Sequence, residues 1–136
     1  MTTVAVCVGN RGEMLFGGRR VSRDALLLDD LVRDLRGRLI CRPFSERYLV
    51  GAGLTPTVAD DPFAIATAED LVFFEEPPLA PHLPQVGRII RYDFDTAYPI
   101  DVTLDVDPLA VGFHLAARHE FAGKAHQNII CEVFER

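Results

Sequence analysis

Six consecutive residues, Arg19-Arg20-Val21-Ser22-Arg23-Asp24, set three guanidinium groups beside one carboxylate. Gly17-Gly18 precede them, and Glu13-Met14-Leu15-Phe16 lead in. Guanidinium forks hold carboxylates and phosphates through paired hydrogen bonds, so Arg19, Arg20 and Arg23 are candidate ligands for an anion. An acid at a helix start can give or relay a proton if it faces a cleft, which makes Asp24 the candidate catalytic residue. The plainer roles are a carboxylate that stabilises a helix N-terminus and arginines that pair with surplus acids. The residues by themselves favour capping for Asp24. Ser22 is the expected N-cap, with Asp24 in the first turn.

Other chemistry-bearing residues are more scattered. Asp101, Asp105 and Asp107 share one face of an extended strand, and Glu75-Glu76 form a second acidic group. The aspartates lack the glycine and terminal glutamate of a calcium loop and read as a solvated or partner-facing acidic edge, and Glu75 and Glu76 are counted with them as candidate partner-binding acids. His114, His119 and His126 have no metal-cluster spacing, and no metal site is expected. No Gly-x-Ser-x-Gly elbow, P-loop or dinucleotide fingerprint occurs, so nucleophilic catalysis has little support. Cys7, Cys41 and Cys131 sit in apolar segments and read as reduced core thiols.

The elements that must position these groups alternate early and become strand-rich later. Thr3 to Val8 is a strand apolar on both faces. Leu27, Leu28, Leu31, Val32 and Leu35 recur at helical spacing, and Gly37 is the expected stop. Arg38 to Cys41 is a short buried strand, and Phe44 to Leu49 one or two helical turns. Phe63 to Ala66 and Leu71 to Phe74 read as strands. The prolines at 77, 78, 81 and 84 exclude a long helix. Gly87 to Phe94 and the alternating Asp101 to Val106 follow as strands, and Phe113 to Phe121 with Asn128 to Phe134 close the chain as a pair. The expected fold is α/β, with a mostly parallel central sheet, an antiparallel C-terminal hairpin and few helices.

At 136 residues the chain reads as one domain, 1–136. A net charge of -6 and a single lysine, Lys124, argue against gripping a nucleic acid backbone. No apolar run reaches membrane-spanning length and no signal-peptide pattern opens the chain, so cytoplasmic placement and no membrane partner are the expectations. The oligomeric state is left open.

The tail Glu120 to Arg136 resembles the last hairpin of dihydrofolate reductases, with its acid-aromatic strand end, His-bearing loop and closing aromatic-acid strand. Arg88 to Asp107 is similar to that family's next strand and its acidic, proline-containing loop. Val4 to Val8 and the Met14 to Asp24 loop fall where its first strand and mobile loop lie. The resemblance implies a three-layer dihydrofolate-reductase-like fold, with Asp24 at the catalytic acid and Arg42 at the arginine that holds cofactor phosphate. The chain departs from the family at Glu75-Glu76-Pro77-Pro78, where the family has a Gly-Gly turn against the cofactor. Two acids repel a pyrophosphate there, and prolines remove the amides that would bind it. The family's Pro-Trp element is missing as well, since the chain has no Trp. Met14-x-Phe16 with Arg19-Arg20-x-Ser22-x-Asp24, and Tyr98-Pro99-x-Asp101, also resemble short uncharacterised bacterial proteins. Some of those carry a ribonuclease Z name, but the His-x-His-x-Asp-His zinc cluster of that enzyme is absent here.

Two expectations follow. The first is a binding protein on a degenerate dihydrofolate-reductase-like fold, without a cofactor. Its acids Glu75, Glu76, Asp101, Asp105 and Asp107 would meet a basic protein, as an immunity or inhibitor protein meets a toxin or nuclease. The second is a small NADPH- or pteridine-dependent reductase that uses Asp24 as proton donor and Arg42 or Arg19 and Arg20 as anion ligands. The first expects the space beside the helix to be filled by Leu15, Phe16, Leu27 and Leu28; the second expects a pocket with Asp24 exposed inside it.

Overall fold

A computed structural model describes residues 1–136. Ten strands and three α-helices follow in chain order. They are β1 (Thr2–Val8), β2 (Glu13–Phe16), β3 (Arg19–Arg20), α1 (Ala25–Val32), β4 (Leu39–Cys41), α2 (Pro43–Gly51) and β5 (Thr57–Val58). Then come α3 (Pro62–Ile65), β6 (Leu71–Phe73), β7 (Val86–Asp93), β8 (Val102–Thr103), β9 (His114–Phe121) and β10 (Ile129–Glu135). Seven strands form the main sheet in the order β5-β4-β6-β1-β7-β10-β9. Pairing is parallel from β5 to β7, and β10 and β9 run antiparallel as the C-terminal hairpin. The expected α/β class and mixed sheet are therefore observed.

The alternation in β1 explains the layering. Val4, Val6 and Val8 enter one core with Met14, Phe63 and Phe113, while Ala5 and Cys7 enter the other beneath α1 and α2. Each fully buried aliphatic or Phe side chain contributes about 1.5–3 kcal/mol, so both faces stabilise the sheet. Leu27, Leu28 and Leu31 are the buried stripe of α1. No helix is long and apolar enough to cross a membrane.

Four local expectations are corrected. The Met14 to Asp24 stretch is not a plain loop: β2 and β3 form a hairpin, and Gly17 and Gly18 turn it with φ of 58° and 73°. Successive left-handed residues match the twist of a two-residue hairpin turn, which is why the glycine pair stands there. Phe63 to Ala66 is not a strand, because Pro62 opens a single turn of helix, α3. Only Val102–Thr103 of Asp101 to Val106 pairs, joining β2 in a small side sheet. Helix α1 stops at Val32, before Gly37, whose role is different. A side chain at Gly37 would lie 2.5 Å from the Glu69 carbonyl oxygen, so its bareness lets β4 approach β6.

Candidate functional site

The carboxyl ends of β1, β4 and β6 point to one edge of the sheet, where open α/β folds keep their ligand crevice. The β2–β3 hairpin delivers Arg20 into that crevice. Its guanidinium donates from Nε to Glu75 Oε2 at 2.9 Å and from Nη2 to Glu75 Oε1 at 3.0 Å. Ser45, on α2, donates from Oγ to the same Oε1 at 2.7 Å. The Arg20 Cζ lies 4.4 Å from the centre of the Tyr48 ring and 5.1 Å from that of Phe44. Burial pulls the Arg20 pKa down, but the hydrogen bonds and charge of Glu75 outweigh it and raise the value above the ordinary one. The crevice is thus plugged by a paired, aromatic-backed ion pair.

Beside the plug, between α1 and α2, opens a cavity of about 900 Å³. Arg19, Arg20, Arg23, Arg47 and Lys124 contribute five cationic side chains to it, and Phe44 and Tyr48 supply aromatic wall. Only the carboxylates of Asp24, on its wall, and Glu75, behind Arg20, oppose them. In a chain of net charge -6 this is a strong local reversal of sign. A cleft of one sign with low-dielectric walls concentrates counter-ions of the other.

Asp24 lies on the wall of that cavity but is only 2% exposed. It, rather than Ser22, is the N-cap of α1. Its Oδ1 accepts from Leu26 N at 3.0 Å and Lys124 N at 2.9 Å, and its Oδ2 from Ala125 N at 2.9 Å. His126 Nδ1 lies 2.8 Å from that Oδ2. Burial pushes the carboxyl pKa up, and the His126 bond and the backbone amides outweigh it, leaving the value at about 2. At neutral pH Asp24 is therefore ionised in the unliganded chain. Its charge clasps the 123–127 loop to the start of α1. A Cβ at Gly123 would collide with this carboxylate, so the loop closes only over glycine.

The other edge of His126 faces Ser22 and Tyr98, with Nε2 at 2.8 Å from Ser22 Oγ and 3.0 Å from the Tyr98 hydroxyl. The imidazole stacks on Phe94, centroids 4.6 Å apart, which fixes its plane. A carboxylate, an oriented imidazole and a half-buried serine hydroxyl therefore form one hydrogen-bonded chain. Sequence reasoning gave no warning of it: Ser22 and Asp24 are 104 and 102 residues from His126.

The remaining candidates lie elsewhere. Arg42 is outside the basic cavity, donating to Glu76 at 3.1 Å and to the Asp60 carbonyl at 2.9 Å. The concavity around it also carries Asp60, Asp61, Pro77 and Pro78, a poor setting for phosphate. The five acids expected to form a partner-facing edge each have a partner within the chain, while Asp101, Asp105 and Asp107 stay exposed to solvent. Glu75 is buried on Arg20, and Glu76 pairs with Arg42. Asp101 accepts from Gly17 N, Asp105 from Leu79 N and Ala80 N, and Asp107 from Leu109 N. Each is anchored to a different group, so a shared strand face does not describe them. His119 meets Asp30 at 3.1 Å near Cys131, a grouping the histidine spacing gave no hint of. Asp30 there is also met by the Tyr92 hydroxyl at 2.7 Å and by Arg33 at 3.2 Å. Leu27 and Leu28 are buried, Phe16 is exposed, and a cavity is present with Asp24 buried in its wall.

No family model and no curated protein matches the chain. Among solved structures it is similar to a dihydrofolate reductase from Enterococcus faecalis complexed with NADP(H) and RAB-propyl, at 11% identity and a TM-score of 0.68. The match covers 99% of this chain and 96% of that one. The chain therefore has a dihydrofolate-reductase-like fold.

Proposed function

We propose that this protein binds a small organic anion, with a flat ring and more than one acidic group, in the cavity between α1 and α2. The observation that carries this reading is the gathering of Arg19, Arg23, Arg47 and Lys124 beside the exposed flanks of Phe44 and Tyr48. Guanidinium forks match carboxylate and phosphate oxygens, and aromatic walls favour a flat partner. Glu75 and Glu76 are neutralised by Arg20 and Arg42, which leaves less acidic surface for a basic protein partner, and the basic cavity favours an anionic ligand.

A second reading, an NADPH-dependent reductase, draws on the solved dihydrofolate reductase that holds NADP(H). The Arg20–Glu75 plug, the acids around Arg42 and the lowered pKa of Asp24 weigh against it.

Trimesate, a benzene tricarboxylate, is a suitable probe in thermal unfolding. At 100 times its dissociation constant a ligand stabilises by about 2.7 kcal/mol, a shift of several degrees in a domain of this size. Trimesate is expected to give that shift, its uncharged triamide none, and the effect should weaken with salt. Arg47 is exposed, so Arg47→Glu should abolish the shift while leaving the unliganded midpoint nearly unchanged. Equal stabilisation by the triamide, or an unaltered response in Arg47→Glu, would reject anion binding here. NADPH is expected to give no stronger shift than trimesate, and a stronger one that survives Arg47→Glu would favour the reductase.

A further inference from the structure

We propose that Ser22 is an activated nucleophile, with His126 as its general base and Asp24 as the group that orients the base. The geometry has the three parts such chemistry requires. Ser22 Oγ lies 2.8 Å from His126 Nε2, and His126 Nδ1 lies 2.8 Å from Asp24 Oδ2. The Asp24 carboxylate is buried and held by backbone amides, so it presents a fixed negative charge to the imidazole. That charge keeps the proton on Nδ1 and leaves the Nε2 lone pair facing Ser22. Stacking on Phe94 prevents the ring from turning away.

The serine is not sealed. A cavity of about 490 Å³ is lined by Ser22, His126, Tyr98 and Asn128, with Asp95 as its one carboxylate, and it shares Ala125 with the basic cavity, so an anionic arm has to point to the Ala125 side. The Tyr98 hydroxyl, 3.0 Å from the same Nε2, shares that lone pair with Ser22 in the resting chain, and when Nε2 takes the serine proton the Tyr98 O–H is released to turn to a developing oxyanion. An acyl group in this cavity can extend an acidic arm past Ala125 toward Arg23 and Lys124. The substrate class is therefore an ester of a carboxylic acid that carries a second anionic group. The nucleophile stands on geometry alone, whereas the anionic arm rests on the reading of the basic cavity.

The reaction balances without a co-reactant other than water. Ser22 Oγ attacks the ester carbonyl carbon as His126 Nε2 takes its proton. Collapse of the tetrahedral species breaks the acyl–oxygen bond, and the leaving alkoxide takes the proton from His126. Water then attacks the acyl-Ser22 ester with His126 again as base, releasing the acid and restoring the serine.

A fluorophosphonate probe tests the nucleophile directly, since attack by Oγ forms an O–P bond and expels fluoride. Mass spectrometry should place one adduct per chain at Ser22. Ser22→Ala should carry none, and because Asp24 is the cap of α1, that variant should stay folded. His126→Gln should slow labelling by about 10²-fold or more. A folded protein that takes no adduct, or labelling that His126→Gln leaves unchanged, overturns the proposal and reduces the chain to a structural clasp. Turnover of p-nitrophenyl hemisuccinate against p-nitrophenyl butyrate separates the two readings. Labelling at Ser22 with no preference for the hemisuccinate keeps the nucleophile and rejects the anionic arm. A preference lost in Arg23→Glu supports both.

Discussion

Glu75→Ala is expected to destabilise the fold by about 3–5 kcal/mol, the usual cost of leaving a buried charge without its partner. The Arg20 side chain is only 18% exposed and Glu75 7%, and two hydrogen bonds join them between the ends of the parallel strands. Removing the carboxylate strips Arg20 of its counter-charge and Ser45 Oγ of its acceptor at once. Chemical denaturation would report the loss as a lower midpoint at unchanged slope. The matched double variant Arg20→Met with Glu75→Leu should recover much of it, because two well-packed apolar chains leave no charge to solvate. A Glu75→Ala loss below about 1 kcal/mol would mean the pair behaves as a surface salt bridge, and the crevice would then be open rather than plugged. The variant has a second expected effect: with Glu75 gone, Arg20 adds its full charge to the cavity, so trimesate should bind more tightly.

The second large effect concerns Asp24. Replacing it with Asn places an amide N–H₂ against a cluster that consists almost wholly of donors. The backbone N–H groups of Leu26, Lys124 and Ala125 and the ring of His126 all turn toward that side chain. An unsatisfied buried donor costs about 1–3 kcal/mol, and at least one is unavoidable here, so a loss of about 3 kcal/mol is expected for Asp24→Asn. The pH dependence has a defined sign. The carboxyl sits at about 2 in the folded chain against an ordinary 3.8, so its stabilisation is complete above about pH 5 and is lost as pH falls toward 2. The difference corresponds to about 2 kcal/mol. Asp70, whose carboxyl is lowered chiefly by its hydrogen bond with Arg38, adds to the same acid limb. Unfolding free energy measured between pH 6 and pH 3 should therefore drop steeply in the parent chain and more gently in Asp24→Asn. Parallel curves would show that the clasp is not held by an ionised Asp24.

How far the sequence discloses these features depends on how local they are. β1 is legible as a short continuous apolar run, and β10 through its alternating Ile129, Cys131 and Val133. Helix α1 is legible through the helical spacing of Leu27, Leu28 and Leu31. The glycine pair announces a shaped turn, though not that β2 and β3 would flank it. Phe63 to Ala66 misleads because four apolar residues fit a strand or a helical turn equally well, and Pro62 decides between them. The site is less legible, since a charge does not name its partner. Arg20 meets Glu75 across 55 residues and Asp24 meets His126 across 102. Asp101 and Asp105 likewise serve backbone amides that only the folded chain brings near. The arginine cluster was visible as a candidate anion site, while Arg47, Tyr48 and Lys124, which complete the cavity, carry no local mark.

The most direct test of anion binding in the α1–α2 cavity is an amide NMR titration of the parent chain with trimesate. Saturable shifts are expected at Gly18 to Ala25, Arg47 to Ala52 and Lys124 to Ala125, with Arg42, Asp60 and Glu76 unmoved. Shifts confined to Arg42, Asp60 and Glu76, or none at all in a folded sample, would contradict the assignment of the site.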